Sequence, residues 1–190
     1  MTQYVKRTFV CSDLHFQHQR ILGFGRPFST LDEHDNTIIN NWNTVVDPRD
    51  DVIVCGDLVF GGKQNLSLFS RMHGRKLLVL GNHDGGSKEL YLPYFAKIEG
   101  SMEIRTSKGT ILFTHFPVHP NQMTVRYALN VHGHVHANTI MDGNQEDQRY
   151  FNVSMENINY TPILLDKIRH LRKARFDDHA ANAGSYTGAD

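Results

Sequence analysis

Short apolar runs that break off into polar, glycine-containing loops recur along the chain. Tyr4 to Cys11 ends at Ser12-Asp13-Leu14-His15, Asp51 to Cys55 at Gly56-Asp57, and Lys76 to Leu80 at Gly81-Asn82-His83-Asp84. Thr110 to Thr114 ends at His115, Leu129 to His132 at Gly133-His134-Val135-His136, and Tyr150 to Val153 leads into an asparagine-rich loop. Such β-branched or leucine-rich runs predict strands. Between the first two, Ile38, Ile39, Trp42, Val45 and Val46 recur at helical spacing, and Ser29 or Thr30 can cap the start ahead of Asp32 and Glu33. This predicts a helix over Thr30 to Val46, stopped by Asp47-Pro48, with Trp42 in the core. A second helix is expected over Asn65 to Met72, ended by Gly74, and a last one over Ile163 to Lys173 after Pro162. Lys167, Arg169, Arg172, Lys173 and Arg175 give the last helix a basic flank, which reads as a solvated face. From Asp177 onward large apolar residues nearly vanish, so a single domain over 1–176 with a disordered tail over 177–190 is expected.

Composition narrows the class. The chain has 190 residues, 39% of them hydrophobic and 21% charged, with a mean hydropathy of -0.43. No apolar run approaches the length of a membrane span. The first residues lead into charged positions rather than a small-residue cleavage site, which reads as no export signal and a cytoplasmic protein. The balance of 20 cations against 20 anions offers no global basic field for nucleic acid. Two cysteines make neither a disulfide framework nor a thiolate zinc site. Histidine stands out, with 12 residues.

The polar groups that follow the strand-like runs share one structural position. Ends of neighbouring parallel strands converge, so Asp13, His15, Asp57, Asn82, His83, Asp84, His115, His134 and His136 are expected at one rim of a sheet. Carboxylates, imidazoles and a carboxamide without a thiolate suit Mn, Fe, Ni or Zn in five or six coordination better than a closed structural zinc.

With these motifs in order, the sequence resembles the calcineurin-like metallophosphoesterases, whose pattern runs DxH, GD, GNH[DE], H, GHxH. The match extends over roughly residues 5 to 170. The stretch from Ser12 to Ile21, the Gly25-Arg26-Pro27-Phe28 segment and the stretch from Asn152 to Ile168 look like a compact, uncapped subgroup found in bacterial and phage genomes. That subgroup usually has glycine where this chain has Gln17. The resemblance implies an αββα sandwich, a four-layer α/β fold of two mixed sheets flanked by helices. It also implies two divalent metal ions, manganese foremost, with Fe, Ni or Zn as alternatives. Asp13, His15, Asp57 and His136 would hold one ion, and Asp57, Asn82, His115 and His134 the other, with Asp57 bridging.

The implied activity is hydrolysis of a small, nucleotide-like phosphodiester or phosphomonoester by a metal-bridging hydroxide. His83, next to a ligand but pointing over the substrate, is then the general acid. The phosphoprotein phosphatases of the superfamily carry GDxxDRG, whereas Gly56-Asp57 here runs into Leu58-Val59-Phe60-Gly61-Gly62, which argues against a protein phosphatase. His18 and Arg26 are candidates for phosphate contacts, with an entry-loop salt bridge as the other reading. His132 reads as a core residue or a support for a ligand, His119 as a loop residue, and His34, His73, His170 and His179 as surface residues. Cys11 and Cys55, each two before a ligand aspartate, are expected close together on matched positions of adjacent strands, yet reduced. Two rivals remain: a scaffold protein on the same fold, and a nuclease. The expected partner is a small phosphate ester, with no membrane and no strong nucleic-acid signal; substrate identity and oligomeric state stay open.

Overall fold

A computed structural model describes residues 4–123, 126–173, 175–177 and 180. The first apolar run becomes β1 (Thr8–Cys11), followed by a 3-10 helix at Gln19–Phe24 and by α1 (Leu31–Val45). Then come β2 (Asp51–Val54), a 3-10 helix at Lys63–Arg71, β3 (Arg75–Val79), β4 (Lys97–Glu99), β5 (Met102–Thr106) and β6 (Gly109–Phe113). The chain continues through β7 (Tyr127–His132), the hairpin of β8 (Met141–Asp142) and β9 (Gln145–Glu146), and β10 (Tyr150–Asn152). It closes with β11 (Ile163–Leu164) and α2 (Leu165–Leu171). The tail expected over 177–190 lies, apart from residues 177 and 180, outside the described residues.

Helix α1 starts where the cap signals put it. Thr30 Oγ1 accepts from Glu33 N at 3.1 Å, satisfying an orphan donor of the first turn, and Glu33 Oε2 accepts from Ser29 N, just before the cap, at 2.8 Å. The second expected helix is instead a 3-10 helix. Asn65 and Gln64 turn their amides onto the carbonyls of Phe60 and Gly61, which competes with α-helical bonding. Its two buried residues, Leu66 and Phe69, are spaced for three residues per turn. The last helix begins later than expected, because Ile163 and Leu164 pair antiparallel with Val10 and Phe9 and cover the edge of β1.

Two mixed sheets result. The first runs β11-β1-β2-β3-β4, the second β10-β7-β6-β5, with only β11 and β5 antiparallel to their neighbours. Alternation along the strands builds two cores. Phe9, Cys11, Val52 and Val54 face the helical layer with Ile38, Trp42 and Phe69. Val10, Ile53, Cys55 and Val79 face the second sheet, where they join Ile111, Phe113, Leu129 and Val131, and α2 adds Leu165 and Ile168. The outer face of the second sheet is covered by the loop around a 3-10 turn at Pro120–Gln122, through Val118 N on Asn130 Oδ1 at 3.0 Å and Tyr150 OH on Val118 O at 2.8 Å. Among the described residues this side thus carries a loop where the expected four-layer order has a helix, while α2 packs into the core between the sheets.

The matched cysteine positions are corrected by the register. Cys11 pairs with Val54, not Cys55, so the strands are offset by one residue relative to the ligand aspartates. The two thiols are free and buried on opposite faces of the first sheet, because one step along a strand exchanges its faces. No helix among the described residues is long and apolar enough to cross a membrane.

Candidate metal centre

The loops that leave β1, β2 and β3 in the first sheet, and β6 and β7 in the second, open on the same side. The loops after β1 and β2 stay paired beyond the strands, through Asp13 N on Gly56 O and His15 N on Asp57 O, both at 3.0 Å. In the second sheet the loops after β6 and β7 are likewise tied, Gly133 N donating to His115 O at 3.0 Å. Five of the expected ligands then hold left-handed backbone: Asp13 (φ 57), His15 (φ 51), Asp57 (φ 56), His134 (φ 70) and His136 (φ 50). Aspartate and histidine tolerate this region better than most residues, yet each such conformation costs on the order of 1 kcal/mol or more. Close approach explains Gly133, where a Cβ would lie 2.0 Å from Ser12 Oγ and 2.3 Å from Asp13 Oδ2.

These turns bring nitrogen and oxygen lone pairs together. Asp57 Oδ2 lies 3.7 Å from His15 Nε2 and 3.5 Å from His115 Nε2, and Asp13 Oδ1 lies 3.7 Å from His15 Nε2. His15 Nε2 is buried and has no hydrogen-bond partner. His115 Nδ1 donates to Cys55 O at 2.7 Å, so its Nε2 turns a lone pair toward Asn82 Oδ1 at 2.8 Å. Two electron-rich atoms meeting without a donor suit a cation. The ligand atoms of Asp13, His15 and His136, and those of Asp13, Asp57 and His115, each fall within 4.8 Å of one another. The ring of His134 lies 5.1 Å from that of His115, beside the second group.

Burial pushes the His15 imidazole down to about 4, so it is neutral at neutral pH. Burial also lowers His134. At Asp13 burial acts upward, but the nearby imidazoles, His15 foremost, outweigh it and hold the carboxyl below its usual range. Asp57 is raised by burial, with the Asp13 and Asp84 carboxylates adding to the effect. A divalent cation between these groups would supply the missing positive charge.

The structure places the remaining candidates differently from one another. His83 is 46% exposed, with Nε2 3.9 Å from Asp57 Oδ2 and its backbone N donating to Asp57 Oδ1 at 3.0 Å. Asp84 does not orient it. Its carboxylate accepts from the backbone nitrogens of Asp57, Leu58 and Gly81 at 2.8, 3.0 and 2.8 Å and thereby fixes the loop that carries Asp57. His18 stacks on Phe60 at 3.7 Å, and its Nδ1 lies 3.3 Å from that of His15, at the edge of the centre.

Arg26 takes the salt bridge of its two readings and leaves the set of phosphate contacts. It is buried, with Nε on Glu156 Oε1 at 2.9 Å, Nη2 on Asp13 O at 2.6 Å and Nη1 on Leu14 O at 3.1 Å. His34, expected at the surface, is fully buried between Arg26 (2.7 Å) and Asp35 (2.6 Å). Asp35 in turn accepts from Gln17 N and Nε2 at 3.2 and 2.8 Å, so the residue that departs from the subgroup pattern is bonded into this chain. His132 is buried with Nδ1 2.9 Å from Gly133 O, whereas His73, His119 and His170 are exposed. His179 lies outside the described residues.

Glu156 was not singled out by the motifs, yet its Oε1 receives His136 Nδ1 at 3.0 Å. This fixes the ring with Nε2 toward the centre, and the same contact raises the His136 pKa. Ser154 Oγ, 2.8 Å from Asp13 Oδ2, does the same for the carboxylate.

Comparison with known proteins covers nearly the whole chain. The family described as calcineurin-like phosphoesterase matches residues 6–186. An uncharacterized protein of Methanocaldococcus jannaschii is 31% identical over 176 residues, which is 86% of this chain and 90% of that one. The Gene 66 protein of Mycobacterium phage L5 is 36% identical over 85 residues, 43% of this chain and 41% of its own. Among solved structures, a protein of unknown function from Aquifex aeolicus superposes with a TM-score of 0.69 at 25% identity, over 88% of this chain and 100% of that one.

Proposed function

The chain belongs to the calcineurin-like phosphoesterase family, and from that premise we propose that it is a dinuclear-metal-dependent hydrolase of small phosphodiesters or phosphomonoesters. Asp13, His15, Asp57 and His136 hold one ion in this reading, and Asp57, Asn82, His115 and His134 the other, with manganese the first choice for this oxygen and nitrogen set. The observation that carries it is His15 Nε2, buried without a hydrogen-bond partner and 3.7 Å from a carboxylate oxygen of both Asp13 and Asp57. Leaving such an atom orphaned is expensive unless something is meant to complete it.

When bound, the ions supply Lewis acidity, which lowers the pKa of a water and offsets charge on the phosphoryl oxygens. The chain's own residues do the rest. Asp57 places one oxygen toward His15, His83 and His115 alike and so stands between the two ligand groups. The Cys55 carbonyl fixes the tautomer of His115, and Glu156 that of His136. His83, tied to Asp57 through its backbone and open to solvent, holds a proton at Nε2 for the leaving oxygen.

The test is metal-stripped protein reconstituted with Mn, Ni, Zn or Mg and assayed on cyclic and linear phosphodiesters and nucleotide monoesters. Turnover that returns with a metal supports the reading. Tight metal binding without turnover on any ester would leave a scaffold protein, and a salt-sensitive shift of DNA would favour a nuclease.

A further inference from the structure

Phe24 and Phe116 are both of the exposed aromatic side chains among the described residues, at 64% and 50% exposure. Scattered exposed apolar residues are ordinary, but these two share one address. The Phe24 ring lies 6.1 Å from that of His136, tilted 26° from parallel, and the Phe116 ring lies 4.4 Å from that of His134. Each phenylalanine therefore borders a different end of the metal centre. Phe24 ends the 3-10 helix at Gln19–Phe24, which is anchored by buried Ile21 and followed by buried Arg26. Its backbone is held while its ring stays open. Phe116 is fixed in turn by Thr114 Oγ1 donating to its carbonyl at 2.6 Å.

We propose that Phe24 is the stacking face for a planar aromatic group carried by the substrate ester, with Phe116 as the second wall, so that the site prefers nucleotide-like or aryl esters over alkyl ones. This rests on the phosphoesterase reading and adds the substrate class. A pre-positioned ring beside a charged reaction centre gains by covering an apolar face without losing much conformational freedom. Stacking tolerates any base, because each presents a π-face. The polar centre binds the phosphate and the rim binds what the phosphate carries.

The experiment uses manganese-loaded protein and measures by calorimetry the affinity for adenosine 5′-monophosphate, phenyl phosphate and ribose 5-phosphate, in wild type, F24A, F116A and F24W. The expected result is that adenosine 5′-monophosphate binds roughly 10-fold tighter than ribose 5-phosphate, that F24A brings the two within about 2-fold, and that F24W keeps the gap. F116A should narrow the gap less. Phenyl phosphate separates an aryl group attached directly to the phosphate from a base held one ribose away, according to which ligand F24A weakens more. Equal wild-type affinity for the base-bearing and base-free ligands, or equal weakening of both in F24A, would overturn the proposal. Failure of the broader reading looks different, because wild type would then hydrolyse neither nucleoside nor alkyl esters with any metal, whatever the binding ratio.

Discussion

Asp50 and Asp57 flank the same strand, β2, and both carboxylates are buried, but they are finished in opposite ways. Asp50 is saturated by the protein. Its oxygens accept from Tyr4 OH, from Arg7 N, Nε and Nη2 at 3.0, 3.3 and 2.6 Å, and from Asp47 N at 2.9 Å. Burial acts upward on this group, yet the Arg7 and Tyr4 donors outweigh it and hold its pKa below the usual carboxylate range. Asp57 receives one backbone N–H on Oδ1, while Oδ2 faces three imidazole nitrogens, and burial pushes its pKa upward. The difference teaches how to tell a structural carboxylate from a working one. A buried anion whose partners are all in the chain closes one end of the sheet; a buried anion short of positive charge leaves the other end to be completed by a cation.

The sharpest break of this contrast is Asp57→Asn. It should abolish turnover and release both ions, as read by metal analysis of the purified variant, and two tightly retained ions would end the bridging assignment. Next in size is His83→Ala. General-acid help is worth roughly 10² to 10⁴ in rate, so turnover on alkyl or nucleoside esters should fall by that factor while nitrophenyl esters lose much less and both ions stay. Equal losses on both leaving groups would make His83 a phosphate binder instead.

Glu156→Gln tests the support beneath the ligands. Metal affinity should weaken about 10- to 100-fold, with turnover recovering at saturating metal. Unchanged affinity would reduce Glu156 to a partner of Arg26 alone.

The smallest effect on the site, and the control for the others, is Asp50→Asn. It should lower stability by roughly 1.5 to 3 kcal/mol, the range for hydrogen bonds to a charged group, and leave metal content and turnover unchanged. Because the folded pKa of Asp50 is depressed, its contribution is complete above about pH 4, the unfolded value, and is lost as pH falls below it. The gap between wild type and variant in denaturant titrations should therefore close in that acid window. A gap that persisted through it would assign the effect to packing.

The clustering of the candidate residues was legible because each group interrupts an apolar run at a strand end, so Asp13, Asp57, His115 and the pair His134 and His136 carry their position in the local pattern. The supports were not. Arg26 reaches Glu156 across 130 residues of chain, and nothing near either one signals the other. His34 looked like an exposed member of the first turn of α1, where polar residues are common, and only the tertiary approach of Arg26 buries it. The short strands β4 and β11, of three and two residues, carry too few positions for a clear alternation, and β11 covers the edge of β1. The register of β1 on β2 escaped for a related reason: matched motifs fix which strands neighbour each other, not by how many residues they slide.

That one-residue slide has a use. Cys11 is sealed between the first sheet and the helical layer, Cys55 between the two sheets, and burial pushes both thiols up, so neither reacts while the fold is closed. A thiol reagent reaches Cys11 only when the helices lift away and Cys55 only when the sheets part. The wild-type chain thus carries a separate clock for each layer, and the labelling rates of its two cysteines time the opening of the two cores independently.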